Sequence, residues 1–308
     1  METCNKRKIL QKIFQKIRLE VNKFFKKKFI LTRDVFNHEK IQAYWSDSDE
    51  THNNFGDRIN PFLLEKILSK PIVHSSNLFE SILCNRPKIF FIGSILSKVS
   101  NQNSVVLGAG FMKNKPEKIN APKKIYAVRG PLTRKIYIEN GIFCPERYCD
   151  PALLLPRFVN TNSIKKYDVG IIPHYADKIY CNNTCFLSED LTLKIIDIET
   201  DAQKFVDSLY ECRTILSSTL HGIIVAHAYG IPATWIEFSN KVVGDGFKFE
   251  DYFLSLGEVN IKKFTAKNNY LDVVRAVSEL KTYDVTKNLT DLDSAIVQLK
   301  KDFHIGGK

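Results

Sequence analysis

The chain has 308 residues, with 45 Lys and Arg against 34 Asp and Glu and a formal charge of +11. Its 44% hydrophobic and 26% charged residues describe a globular chain of about two domains and exclude wholesale disorder. No apolar run approaches the ~18–20 residues of a membrane span, and the first thirty residues are too interrupted by Lys to form a secretory signal.

The first element is an arm. Residues 1–34 hold eleven Lys and Arg against three acids, so +8 of the +11 lies there. Ile9, Leu10, Ile13, Phe14, Ile17, Val21, Phe24 and Phe25 recur at helical spacing within an arc of roughly 160°. Lys8, Lys12, Lys16, Lys23 and Lys26 fall opposite. Such a basic amphipathic helix suits an anionic membrane surface through residues 6–30, each Lys contributing on the order of 1 kcal/mol. It suits equally a helix packed on its own domain. The remaining +3 shows no aromatic–basic interleaving, RNP-like strand or zinc module, so nucleic acid is not expected as a partner.

Beyond residue 38, β-branched runs alternate with helical patterns. Strands are predicted over 40–45, 88–92, 105–107, 125–128, 168–172, 193–198, 213–216 and 233–236. Helices are predicted over 61–68, 131–139, 201–210, 220–229, 270–280 and 289–303. Continuous apolar strands separated by helices imply an α/β fold with parallel sheets covered on both faces. The polar stretch 160–167 divides the pattern. The organisation expected is an arm over 1–34, Rossmann-like domains over 35–160 and 161–262, and a C-terminal helical segment over 263–308.

Ligands of such sheets lie off the carboxyl ends of strands, in a cleft where two domains face each other. After the first strand comes Asn54-Phe55-Gly56-Asp57, with Pro61 suited to the first turn of a helix. Asp57 fits a cleft carboxylate, though spacing alone favours an Asx turn or helix cap. Gly93-Ser94 and Gly108-Ala109-Gly110 follow two further strands and let backbone N–H groups approach a ligand. Arg129 precedes a helix started by Pro131, a combination suited to a carboxylate or phosphate. Arg134, further along, is expected to face solvent or reach the same site. Ser217-Ser218-Thr219 are natural N-caps, and His221 falls in the first turn of the helix behind them.

Walker A, G-x-G-x-x-G, H-E-x-x-H and G-x-S-x-G are absent. Asp47-Ser48-Asp49 has the Asp-x-Asp form of many metal-dependent glycosyltransferases, but reads more simply as a solvated acidic loop. The seven cysteines include no C-x-x-C pair, which predicts reduced thiols in a cytosolic protein and no metal at Cys181 and Cys185.

Taken in order, eight pieces resemble the polysaccharide pyruvyl transferase family. They are Asn54-Phe55-Gly56-Asp57, Gly93-Ser94-Ile95, Gly108-Ala109-Gly110, Val128-Arg129-Gly130-Pro131-Leu132-Thr133-Arg134 and Asp150-Pro151-Ala152-Leu153-Leu154. Ile172-Pro173-His174-Tyr175, the run from Ser217 through His221-Gly222 to Ala226, and Gly246-Phe247-Lys248-Phe249-x-Asp251-Tyr252 complete the set. The resemblance covers about residues 40–257. One departure is Cys149, where the family commonly has Gly before Asp-Pro, which bears on the turn that places Asp150.

The resemblance implies a GT-B-like fold of two Rossmann-type domains facing a cleft. It also implies transfer of pyruvate from phosphoenolpyruvate onto two hydroxyls of one sugar, giving a cyclic ketal on a surface glycan or its lipid-linked precursor. No cofactor and no metal are expected. In that scheme His221 binds phosphate or acts as acid, Arg129 holds the donor's anionic groups and Asp57 orients or deprotonates the acceptor. Ser217, Ser218, Arg134, Gly93, Ser94, Gly108, Gly110, His174 and Lys248 are further substrate-binding candidates. The expected location is the cytoplasm, at the inner face of the membrane. A GT-B glycosyltransferase using a nucleotide sugar and a non-catalytic scaffold of glycan assembly remain alternatives.

Overall fold

The computed structural model describes residues 40–46, 55–75, 87–99, 103–178, 191–242, 244–266 and 270–305. The basic arm, the Asp47-Ser48-Asp49 loop, Cys181 and Cys185 lie outside the described residues.

The first half contains β1 (Ile41–Tyr44), α1 (Phe55–Leu68), β2 (Ile72–His74), β3 (Lys88–Phe90), β4 (Ser104–Leu107), β5 (Lys124–Ala127) and α2 (Pro131–Glu139). Its strands form a parallel sheet in the order β2-β1-β3-β4-β5. After a 3-10 helix over Pro151–Arg157, the second half contains β6 (Tyr167–Ile172), β7 (Leu193–Ile195), α3 (Ala202–Tyr210) and β8 (Cys212–Ser217). It continues with α4 (Leu220–Ala228), β9 (Ala233–Glu237), α5 (Phe247–Ser255), β10 (Lys263–Thr265) and α6 (Tyr270–Ser278). The second sheet is also parallel, in the order β10-β9-β8-β6-β7. The last helix is α7 (Thr286–Asp302). This is the α/β, GT-B-like pair of Rossmann-type sheets implied by the sequence.

The alternation of side chains in β4 shows why the sheet is covered on both faces. Val105 and Leu107 join a core that also takes in residues of the second half, while Val106 joins a separate cluster with Ile136 and Tyr137 of α2. In the second sheet Val169 and Ile171 face Val273 and Ala276 of α6.

Both sheets have the same order counted from their own first strand. The second strand lies outside the first, and the third to fifth lie on its other side. Chain direction therefore diverges between β1 and β3 and again between β6 and β8, leaving a crevice at each carboxyl edge. The N-terminus of α1 brings the two crevices together. The Phe55 N–H donates to the Ile198 carbonyl at 3.2 Å, and the Phe55 ring lies 4.2 Å from that of Phe205.

Three expectations change. Helix α1 starts at Phe55, not at Pro61, so Pro61 is interior. Strands β2 and β10 are additional, three residues each, at sheet edges. The C-terminal segment is divided, since α6 covers the second sheet while α7 packs against β5 and the Pro151–Arg157 helix of the first half.

Candidate active site

The two crevices open on one cavity of about 340 Å³, within the ~300–1,000 Å³ typical of small-molecule sites. The end of β1 supplies Tyr44 and the loop after it Ser46, α1 supplies Asp57, and the loop after β3 supplies Gly93 and Ser94. Arg129 follows β5 and His174 follows β6. Thr219 and His221 come from the head of α4, and Lys248 from α5. A larger groove of 660 Å³ lies beside β10, but its lysines are already paired, Lys262 with Glu279 and Lys281 with Glu258.

The head of α4 is held by its own hydroxyls. Thr219 is the N-cap and accepts from the Gly222 N–H at 3.1 Å. Ser217 is fully buried, its Oγ accepting from the Thr219 N–H and donating to a carbonyl such as that of Ile172, both at 3.0 Å. Ser218 Oγ accepts from the His174 N–H at 2.8 Å, tying the loop after β6 to the loop after β8. Ser217 and Ser218 therefore build the site from behind and do not line the cavity.

His221 is seated across the first turn of α1. A Cβ added at Gly56 would lie 1.9 Å from its Nδ1, so only glycine lets the ring approach this closely. The ring is partly exposed to the cavity, yet its Nε2 is buried and has no hydrogen-bond partner. Burial, then Lys248 and Arg129, push its pKa down to about 3. His174 is pushed down to about 4 by burial and by Lys248. Its Nδ1 accepts from the Ala176 N–H at 3.2 Å, which places the proton of the neutral ring on Nε2. Burial and Arg129 lower Lys248 to about 8, with Asp57 opposing. The cavity thus combines three basic side chains, Arg129, Lys248 and Lys98, with two imidazoles that are neutral near pH 7 and the Asp57 carboxylate, whose Oδ1 accepts from the Ser46 N–H at 3.3 Å.

Arg129 is almost wholly buried and fixed at three nitrogens. Nε donates to Asp251 Oδ2 at 3.0 Å, Nη1 to Ser94 Oγ at 2.7 Å and Nη2 to the Phe111 carbonyl at 2.7 Å. The anion site expected at the N-terminus of α2 is filled by the protein itself, because Asp251 accepts from the Thr133 N–H and hydroxyl there.

Other candidates fall outside the cavity lining. Arg134 turns away and donates to the Cys144 carbonyl at 3.2 Å. Gly108 abuts the Pro151 ring, and Gly110 lies against the Arg129 guanidinium, so both serve packing. Asp150 caps the Pro151–Arg157 helix through the Ala152 N–H at 3.0 Å, and burial pushes its pKa up to about 6. Cys149 beside it is fully buried. Asp57, Gly93, Ser94, Arg129, His174, His221 and Lys248 are the candidates brought together.

Two supporting residues escaped the sequence reading. Asp251 lay in view in the Gly246–Tyr252 piece, but nothing in that piece announces its partner. Asn60 bonds the loop after β3 in both directions, accepting from the Ile92 N–H at 2.9 Å and donating to the Ile92 carbonyl at 3.3 Å. The sequon at Asn288-Leu289-Thr290 is closed to modification, because Asn288 is buried and its amide donates to the Tyr148 carbonyl at 3.0 Å.

The arrangement can hold a small, multiply charged anion and move a proton through a buried imidazole, with a carboxylate opposite. The family model described as polysaccharide pyruvyl transferase matches residues 6–240 of the chain. An uncharacterized protein of Acanthamoeba polyphaga mimivirus is 37% identical over 210 residues, covering 66% of this chain and 71% of its own length. The succinoglycan biosynthesis protein ExoV of Rhizobium meliloti is 27% identical over 222 residues, covering 70% of this chain and 64% of its own.

Proposed function

The chain belongs to the polysaccharide pyruvyl transferase family, and from that premise we propose that it moves pyruvate from phosphoenolpyruvate onto two hydroxyls of one sugar. The product is a cyclic ketal on a surface polysaccharide or its lipid-linked precursor. The observation that carries this reading is the cavity itself, where Arg129 and Lys248 face Asp57 beside the buried, partnerless Nε2 of His221.

The chemistry follows from the donor. Phosphoenolpyruvate is an enol ester with a carboxylate and a phosphate, so it needs cations at both ends and a proton on its methylene carbon. Arg129 and Lys248 hold the anionic groups, with the N-terminus of α4 adding its partial positive charge. The donor's negative charge favours the imidazolium of His221, which then passes its proton to the methylene and leaves an oxocarbenium-like carbon. The first sugar hydroxyl attacks that carbon and gives its proton to Asp57. Phosphate leaves with its bonding electrons, and the second hydroxyl closes the ring on the same carbon, its proton going to the departing phosphate, while the proton held by Asp57 replaces the one that His221 gave up. Charge stabilisation comes from the protein's own cations, so the scheme calls for no metal and no cofactor. Among the described residues no helix is long and apolar enough to cross a membrane. We assign membrane contact to the basic arm, residues 6–30, at the inner face of the cytoplasmic membrane.

The test is release of phosphate from phosphoenolpyruvate in the presence of sugar acceptors. Arg129→Ala and His221→Ala should each lower the rate by at least ~10²-fold if these groups stabilise the transition state. Near-full transfer by either folded variant would sink the assignment. Release of a nucleotide from a nucleotide sugar would replace the proposal with a glycosyltransferase.

A further inference from the structure

Behind the cavity, one buried carboxylate joins the two halves of the molecule. Asp251 lies on α5 and is 0% exposed. Its Oδ2 accepts from Arg129 Nε at 3.0 Å and from Thr133 Oγ1 at 2.6 Å, and its Oδ1 accepts from the Thr133 N–H at 2.9 Å. Thr133 is the third residue of α2, so a side chain from the second half satisfies a helix N-terminus in the first. Gly130 makes the approach possible, since a Cβ there would lie 1.8 Å from the Asp251 carbonyl oxygen.

Asp251 does not itself line the cavity, but the groups it controls do. Arg129 has a planar guanidinium with five N–H donors in a fixed fork. With Nε held by Asp251, Nη1 by Ser94 and Nη2 by the Phe111 carbonyl, its plane has one orientation. Lys248 stands three residues before Asp251 on α5, about one helical turn away, and lines the same cavity. One short helix therefore anchors the first cation and carries the second.

The buried ion pair is weak evidence for a stabilising role. Removing two charges from water carries a large desolvation cost, and well-packed apolar replacements are often no less stable. Orientation is the gain that the geometry offers instead. A guanidinium and an ammonium that must meet two anionic groups of one small molecule need a fixed separation, and misplacement by ~1 Å can cost ~10²-fold in rate.

We propose that Asp251 is a positioning residue for the donor site: by clasping Arg129 and the first turn of α2 it seats α5, and so fixes Arg129 and Lys248 relative to each other across the two halves. This rests on the reading of the cavity as the phosphoenolpyruvate site. It predicts an effect confined to the donor, because the carboxylate touches nothing on the Asp57 side.

The test uses the full chain. Asp251→Asn keeps the shape but removes the charge and turns an amide toward the Arg129 and Thr133 donors. Its KM for phosphoenolpyruvate should rise at least ~10-fold, and binding measured by calorimetry should weaken in parallel. The KM for the sugar should stay within about twofold at temperatures well below melting. Thr133→Val, which removes the hydroxyl's bond to Asp251 and its acceptance from the Phe111 N–H, should shift the donor KM the same way by a smaller factor, and Thr133→Ser, which keeps both, should restore it. If Asp251→Asn does not fold, the Thr133 pair decides alone. A folded Asp251→Asn, or failing that a Thr133→Val, with an unchanged donor KM overturns the positioning role while leaving the donor reading intact. Absence of phosphoenolpyruvate binding in the wild type overturns the donor reading, and the positioning role falls with it.

Discussion

At His221, burial, the Lys248 ammonium and the Arg129 guanidinium all disfavour the imidazolium, and the pKa falls to about 3. Burial also lowers His174 and His227, each to about 4. An unfolded chain holds such rings near 6.5, so between pH 6.5 and the folded values the unfolded state binds more protons. Stability is therefore complete above about 6.5 and is lost as pH falls toward about 3–4. Replacing His221 by Gln keeps a neutral polar group and removes one of the three contributions. The Tm of His221→Gln should fall less steeply between pH 6.5 and 4 than that of the wild type, and equal slopes would rule His221 out as a source. At this scale much of the site was legible, because Arg129, His221 and Asp57 are polar residues standing where strands end. What was not legible is how they are held. Arg129 meets a carboxylate 122 positions away, and no local pattern announces a contact across that distance. The hydroxyls of Ser217 and Ser218 read as ligands for the same reason, since sequence does not show which side of a loop faces inward.

Helix α1 illustrates what happens when a local rule is overridden. A proline suits the first turn of a helix, yet Pro61 sits inside one that begins at Phe55. Lacking an N–H, it leaves the Asp57 carbonyl without its helical partner. Asn60 supplies the substitute, its Nδ2 donating to the carbonyls of Asp57 at 3.3 Å and Gly56 at 3.0 Å. The same amide bonds Ile92 in both directions, so the turn carrying Asp57 is joined to the loop carrying Gly93 and Ser94. Buried polar groups left unpaired cost about 1–3 kcal/mol each. Asn60→Ala should therefore lower unfolding stability by on the order of 2 kcal/mol or more, read from denaturant midpoints. It should also reduce kcat/KM in protein that remains folded, since Asp57 and Ser94 lose their common anchor. Destabilisation with unchanged turnover would show that the turn is structural only. The elements that escaped the sequence reading have a simple physical cause. β2 and β10 are three-residue edge strands, too short for an alternation of apolar and polar positions to stand out.

Across the whole molecule, the described residues close on themselves. One continuous core runs from Ala43 and Leu63 of the first half to Ile223 and Phe253 of the second. Helix α7 adds Leu292, Ala295, Ile296 and Leu299 to it while lying against the first half. Its polar contacts with that half include the Arg157–Asp293 fork, with bonds of 2.6 and 2.9 Å, the bonds of Asp302 with Lys124 and Tyr126, and those of Asn288 and Asp291 with the Tyr148 backbone. The ion pairs are about half exposed and contribute roughly 0–1 kcal/mol each. The apolar side chains, at ~1.5–3 kcal/mol for a fully buried Leu or Ile, dominate. With α7, the core and the Asp251 clasp all crossing between the halves, the described residues have the cohesion of one folding unit. That bears on the arm, which carries +8 of the +11 charge and an apolar stripe of its own. If the arm serves a membrane surface, deleting residues 1–34 should leave the Tm and phosphate release with a soluble acceptor near wild type. Sedimentation with vesicles rich in anionic lipid should be lost, and high salt should mimic the deletion, because charge attraction is screened within ~10 Å at 0.1 M. A deletion that lowers the Tm by many degrees, with vesicle binding absent in the intact chain too, would instead make the stripe part of the core.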